Sequence, residues 1–207
     1  MFRLYSLLIG YVFGNILFAM VVGKFLLHKN PTQFGSKNPG TANVGAVFGK
    51  KYGIITCIGD LSKTLIALLI VFFLYHGNHD AIAFCGLGVV LGHCFPIWHH
   101  FSGGKGVAVS IIWILFFDFW PGIVALLVGL FLVIIMKDLT WPPIIFMLGY
   151  SLYVGFTINW YCGGVFLLGT VVMIFKYRND IVAYFKGQSK KVDILTTIKK
   201  KLGKKAS

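Results

Sequence analysis

Long apolar runs broken by short polar stretches fill most of the chain. Measured against a bilayer, they predict helical spans near Leu4–Leu27, Gly53–Tyr75, Ala81–Trp98, Val107–Phe117, Gly122–Met136, Pro143–Phe156 and Ile158–Phe175. The apolar stretch from Val107 to Met136 is too long for one crossing. Asp118-Phe119-Trp120-Pro121 in its middle supplies a charge and a helix breaker, so two short helices are expected there. Helices this short must tilt or be shielded by their neighbours. The first run is longer than the apolar core of a secretory signal and is followed by no small-x-small cleavage site, so it is expected to stay as the first span. Within it, Gly10 and Gly14 form a small-xxx-small pattern suited to close helix packing.

The placement of lysine and arginine tests the count independently, because cytoplasmic loops collect them. Lys24, Lys29, Lys37, Lys50 and Lys51 surround the first predicted loop, Lys105 lies in the third and Lys137 in the fifth. Lys176, Arg178 and many lysines follow the last span, whereas the second, fourth and sixth loops carry neither residue type and Arg3 stands alone before the first span. The pattern predicts an all-α integral membrane protein, a seven-transmembrane-helix bundle with its N-terminus outside and its C-terminus cytoplasmic. Residues 1–186 form the transmembrane domain in this reading and 187–207 a basic cytoplasmic tail.

Composition agrees. Of 207 residues, 57% are hydrophobic and 12% charged, the mean hydropathy is +0.83, and no separate soluble domain fits in the chain. The net charge of +13 comes mostly from the inside loops and the tail. There, lysines at 190, 191, 199–201, 204 and 205 surround Ile194, Leu195, Ile198 and Leu202, the pattern of a basic helix lying on anionic lipid or of a solvated tail. Nucleic acid is not an expected partner. Cys57, Cys85, Cys94 and Cys162 show no paired spacing, so neither a disulfide nor a metal site is expected.

Chemistry concentrates in the polar stretches on the predicted inner side. Leu91 to Gly106 carries His93, Cys94, Pro96 and then Gly103-Gly104-Lys105-Gly106, where glycines let backbone N–H groups converge and Lys105 adds a cation just before a helix. This reads as a phosphate cradle. Gly35-Ser36-Lys37-Asn38-Pro39-Gly40, followed by Asn43, offers small hydroxyls, amides and glycines on the same side. Ordinary turn chemistry favours the same residues. The Lys137–Thr140 turn and the Lys176–Asp180 segment complete four polar clusters on one face. Asp60 and Lys63 share a helical face within the second span and are expected to form an ion pair.

These segments resemble the bacterial membrane glycerol-3-phosphate acyltransferases that use acyl phosphate as donor. The likeness rests on Gly35 to Gly40 with Asn43, on Gly92-His93-Cys94-Phe95-Pro96 through Gly103-Gly104-Lys105-Gly106-Val107-Ala108, and on Lys176-Tyr177-Arg178-Asn179-Asp180-Ile181. Gly59-Asp60 with Lys63 also resembles the family's second helix, and Thr140 falls where the family usually has serine. The resemblance implies transfer of a fatty acyl group to the 1-hydroxyl of glycerol 3-phosphate, giving lysophosphatidic acid for phospholipid synthesis. It implies a multi-pass protein of the cell (inner) membrane, an active site on the cytoplasmic side, and no cofactor. Ser36, Asn38, Gly40, Asn43, Gly103, Gly104, Lys105, Thr140, Arg178 and Asp180 would surround the phosphates, with His93 near the acceptor hydroxyl as a base or as a structural group.

Three positions depart from the family. Ala46 stands where arginine is common, Tyr177 where histidine is common and Asp180 where asparagine is common. Asp180 would repel phosphate unless a neighbouring cation offsets it. A different acceptor, a relative without catalysis, or an anion transporter or channel are the alternatives. Other enzyme classes lack their signatures. There is no Gly-x-Ser-x-Gly elbow, His76 and Asp80 are four rather than five residues apart, and the chain has no glutamate with which to cluster carboxylates around a metal.

Overall fold

The computed structural model describes residues 1–189 and Lys191, and all its regular structure is helical. In chain order the α-helices are α1 (Phe2–Gly14), α2 (Phe18–Val22), α3 (Thr41–Phe48), α4 (Lys50–Leu74), α5 (His79–Cys94), α6 (Val107–Phe117), α7 (Phe119–Met136), α8 (Trp141–Thr157) and α9 (Trp160–Phe185). Five stretches are long and apolar enough to cross a membrane: Phe2–Leu27, Lys50–Leu74, His79–His99, Phe119–Met136 and Trp160–Phe185. The expected lipid-binding helix of the tail lies outside the described residues.

Each predicted run coincides with helix, with three differences. The first run is interrupted between α1 and α2, at Asn15, Ile16 and Leu17, because polar partners satisfy the backbone groups freed there. The first loop contains helix α3, an element not assigned from the sequence. The last helix continues ten residues beyond the predicted end at Phe175, to Phe185. Met173, Tyr177 and Ile181 recur at helical spacing and pack on the core, which carries the helix through its polar segment. At the short hairpin, Asp118 separates α6 from α7 as foreseen and accepts a hydrogen bond from the Tyr153 hydroxyl at 3.1 Å.

Helix α5 is the axis of the bundle. Its glycines let α1 approach backbone to backbone: a Cβ at Gly88 would collide with the Leu7 carbonyl, and one at Gly10 with the Cys85 carbonyl. On another face, Gly86 leaves room for Trp113, which stacks on Phe166 with ring centroids 4.0 Å apart. In contrast, α7 turns Val124, Leu127, Phe131 and Ile135 outward, the face of a peripheral helix seated in lipid. At one end of the bundle Arg3 pairs with Asp80 at 2.6 Å. The C-terminal end of α5 carries His93 into the interior beside the break in the first span.

Candidate active site

Two polar groups meet around the C-terminus of α5. The first is fully buried: Asp60 is 1%, Lys63 2% and His93 3% exposed. Lys63 Nζ donates to the Gly14 carbonyl at 3.1 Å, to the Ile16 carbonyl at 2.6 Å and pairs with His93 Nδ1 at 3.0 Å. Asp60 Oδ1 lies 2.9 Å from the same nitrogen but outside hydrogen-bonding geometry, so it acts as a counter-ion. The ammonium therefore ties the interrupted first span to α4 and α5. Asn15, which the sequence reading passed over, strengthens the same junction: its Oδ1 accepts from the Ile97 amide at 2.7 Å. A lone amide in an apolar span was the available signal.

The second group forms where the loop after α5 meets α9. Lys105 Nζ pairs with Asp180 Oδ2 at 2.8 Å and lies 4.5 Å from the centre of the Tyr177 ring. Lys176 Nζ donates to the Cys94 carbonyl at 2.9 Å. Lys105 is thus a cation that offsets Asp180. Arg178, expected among the phosphate ligands, instead donates to the Phe175 carbonyl at 3.0 Å and lies over the Phe175 ring on the exposed side of α9.

The glycine-rich turn also differs from its expected form. The Gly103 and Gly104 amides do not face a common ligand: they donate to the Cys94 and His93 carbonyls at 3.1 and 3.0 Å. The reason is the end of α5, whose last carbonyls have no partner within the helix. Gly104 has a second constraint, because a Cβ there would overlap His93 Nε2. The unclaimed donors lie one step further along, at the N-terminus of α6, which no side chain caps. Gly106 enters that helix with φ +86°, a conformation that favours glycine.

The first-loop cluster is organised by Asn43, which is buried. Its Oδ1 accepts from the Ser36 amide at 2.8 Å, and its Nδ2 donates to the Pro31 and Phe34 carbonyls at 3.0 and 3.1 Å. With oxygen and both amide protons engaged, Asn43 shapes the turn, in place of the ligand contact expected of it. Ser36 remains exposed and Asn38 partly so, while Gly40 packs beneath them, buried. Thr140 is buried at the α7–α8 turn, where its amide donates to Asp138 at 2.7 Å. Among the sequence-predicted residues, the structure thus joins Asp60, Lys63, His93, Gly103, Gly104, Lys105 and Asp180. Ser36, Asn38, Gly40 and Asn43 form a turn of their own.

Comparison with known proteins agrees with this architecture. The glycerol-3-phosphate acyltransferase family matches residues 4–187. Glycerol-3-phosphate acyltransferase 1 of Lactobacillus johnsonii is 65% identical over 198 residues, covering 96% of each chain. The crystal structure of an integral membrane glycerol 3-phosphate acyltransferase in its glycerol 3-phosphate form superposes with a TM-score of 0.84 at 25% identity, over 95% of this chain and 98% of that one. Its lysophosphatidic acid form gives a TM-score of 0.80 at 25% identity, over 91% and 94%. This chain therefore shares an all-helical membrane fold with that protein, and it is a member of the glycerol-3-phosphate acyltransferase family.

Proposed function

We propose that the chain transfers a fatty acyl group from acyl phosphate to the 1-hydroxyl of glycerol 3-phosphate, releasing lysophosphatidic acid and inorganic phosphate. The observation that carries this is Lys105, seated between the end of α5 and the uncapped start of α6, with Asp180 as the counter-ion it holds before a substrate phosphate arrives. A phosphate displacing Asp180 would gain the Lys105 ammonium and the α6 amides together. Ser36 and Asn38, on the exposed side of the Asn43-braced turn, and Thr140 at the α7–α8 turn are the other proposed phosphate contacts.

The chemistry needs little beyond placement. The acceptor oxygen attacks the acyl carbonyl carbon, that carbon's bond to the phosphate oxygen breaks, and the hydroxyl proton leaves with phosphate. Because phosphate is already a good leaving group, holding two reactants together and stabilising the developing oxyanion supply the rate. We read residues 1–186 as the catalytic unit, crossing the inner membrane seven times with the N-terminus outside and the site at the cytoplasmic face. The lysine distribution supports that orientation. α6 and α8, with 11 and 17 residues, are about 16 and 25 Å long, the shortest of these crossings, which leaves room for a polar site at the interface.

The test is acyl transfer by the purified protein in lipid, with labelled glycerol 3-phosphate and either palmitoyl phosphate or palmitoyl-CoA. Lysophosphatidic acid is expected from palmitoyl phosphate only, with the rate in Lys105→Ala lower by about a hundredfold or more, the effect of losing one preorganised charged donor. Product from the thioester alone would overturn the donor, and no product from either would overturn the activity.

A further inference from the structure

A lysine ammonium carries three N–H bonds and has no lone pair to accept with. Lys63 places its three on the Gly14 carbonyl, the Ile16 carbonyl and His93 Nδ1. The two carbonyls face it from the break in the first span and cannot donate. Nδ1 is therefore an acceptor, and the proton of the neutral ring lies on the opposite nitrogen. The one carboxylate nearby does not change this, since Asp60 Oδ1 is 3.6 Å from Nδ1 and already 2.9 Å from the ammonium.

The opposite nitrogen is placed for use. Nε2 packs against Gly104, in the space a Cβ there would fill, one residue before Lys105. His93 bonds through Nδ1 and makes no hydrogen bond through Nε2 within the described residues. An N–H at Nε2 that no protein group accepts is available to a substrate oxygen.

We infer that Lys63 is a positioning residue that holds His93 in the tautomer protonated at Nε2, so that His93 meets the reacting substrate as a hydrogen-bond donor and not as a proton acceptor. This inference rests on the acyl-transfer reading for its substrate, though not for the tautomer itself. His93 would steady the oxyanion or a phosphate oxygen, and the acceptor's proton would pass to the departing phosphate, which balances the reaction without a protein base.

Two measurements test it on the full chain in lipid. In the first, histidine is labelled with nitrogen-15 and the His93 ring is assigned by its loss in His93→Gln. The ring proton is expected on Nε2 in the ligand-free protein, and a proton on Nδ1 overturns the inference whatever the enzyme's activity. In Lys63→Met the proton is expected to move to Nδ1, facing Asp60. If that variant does not fold, the wild-type spectrum decides alone. In the second, initial rates are compared for His93→Gln and His93→Ala. Glutamine places an N–H near the Nε2 position and cannot act as a base, so it is expected to keep the rate within about tenfold of wild type where alanine loses about a hundredfold. Equal losses in the two variants would overturn the donor role. Absence of transfer by the wild-type chain would overturn the proposed function while leaving the spectrum to judge the tautomer.

Discussion

Replacing Asp180 with asparagine should make the enzyme bind glycerol 3-phosphate more tightly. In the ligand-free site Asp180 holds Lys105 at 2.8 Å, so an arriving phosphate must displace a carboxylate before it gains the ammonium. At that distance the gross attraction runs from about 1.5 kcal/mol in water-like surroundings to about 6 kcal/mol at an effective dielectric constant of about 20. The side chains are 26% and 38% exposed, so solvent and the entropy of holding two flexible groups remove most of it. Pairs of this kind retain about 0.5–1 kcal/mol. Returned to the substrate, that is a fall of about two- to fivefold in KM for glycerol 3-phosphate. The loss of repulsion between Asp180 and phosphate acts in the same direction. The assay is initial rate against glycerol 3-phosphate at saturating acyl phosphate, repeated in high salt, where exposed charges are screened and the gap between wild type and Asp180→Asn should narrow. A higher KM, or a loss confined to kcat, would show that Asp180 instead steers Lys105 or touches the substrate productively, and would refute the competition argument.

Further expectations concern the buried half of the site. Asp60→Asn leaves the Lys63 ammonium in the interior without its counter-ion and should cost about 3–5 kcal/mol of stability, read as a lower unfolding midpoint in detergent; an unshifted midpoint would show that the charge is not needed. Gly104→Ala places a methyl group where His93 Nε2 lies and should push the ring from its position, lowering kcat about tenfold or more while the protein still folds. Wild-type kcat in Gly104→Ala would argue that His93 is not in contact with the reacting groups.

Much of the architecture could be read from the chain because the bilayer imposes severe rules. A backbone in hydrocarbon must satisfy its own hydrogen bonds, so apolar runs of sufficient length become helices, and the Asp118 to Pro121 break divides α6 from α7 as the sequence indicates. The candidate site segments stood out for a different reason. Glycine, proline, lysine and histidine between greasy runs are hard to explain by packing, so their clustering made these segments the candidates for chemistry. The pairings were not legible. Arg178 and Asp180 are two residues apart on α9, and only the helix's extension to Phe185 decides that Asp180 faces Lys105 while Arg178 turns outward.

The sequence by itself determined the solvent, the helical class and where the polar segments fall between the spans, since each follows from local composition and short-range periodicity. Tertiary structure alone decided which donor meets which acceptor. The Gly103 and Gly104 amides close the end of α5, Asn43 is consumed in bracing its own turn, and Lys63 reaches across 30 residues to His93 and 47 to the Ile16 carbonyl. Such assignments depend on how every buried polar group in the bundle is satisfied at once, and no stretch of sequence contains that count.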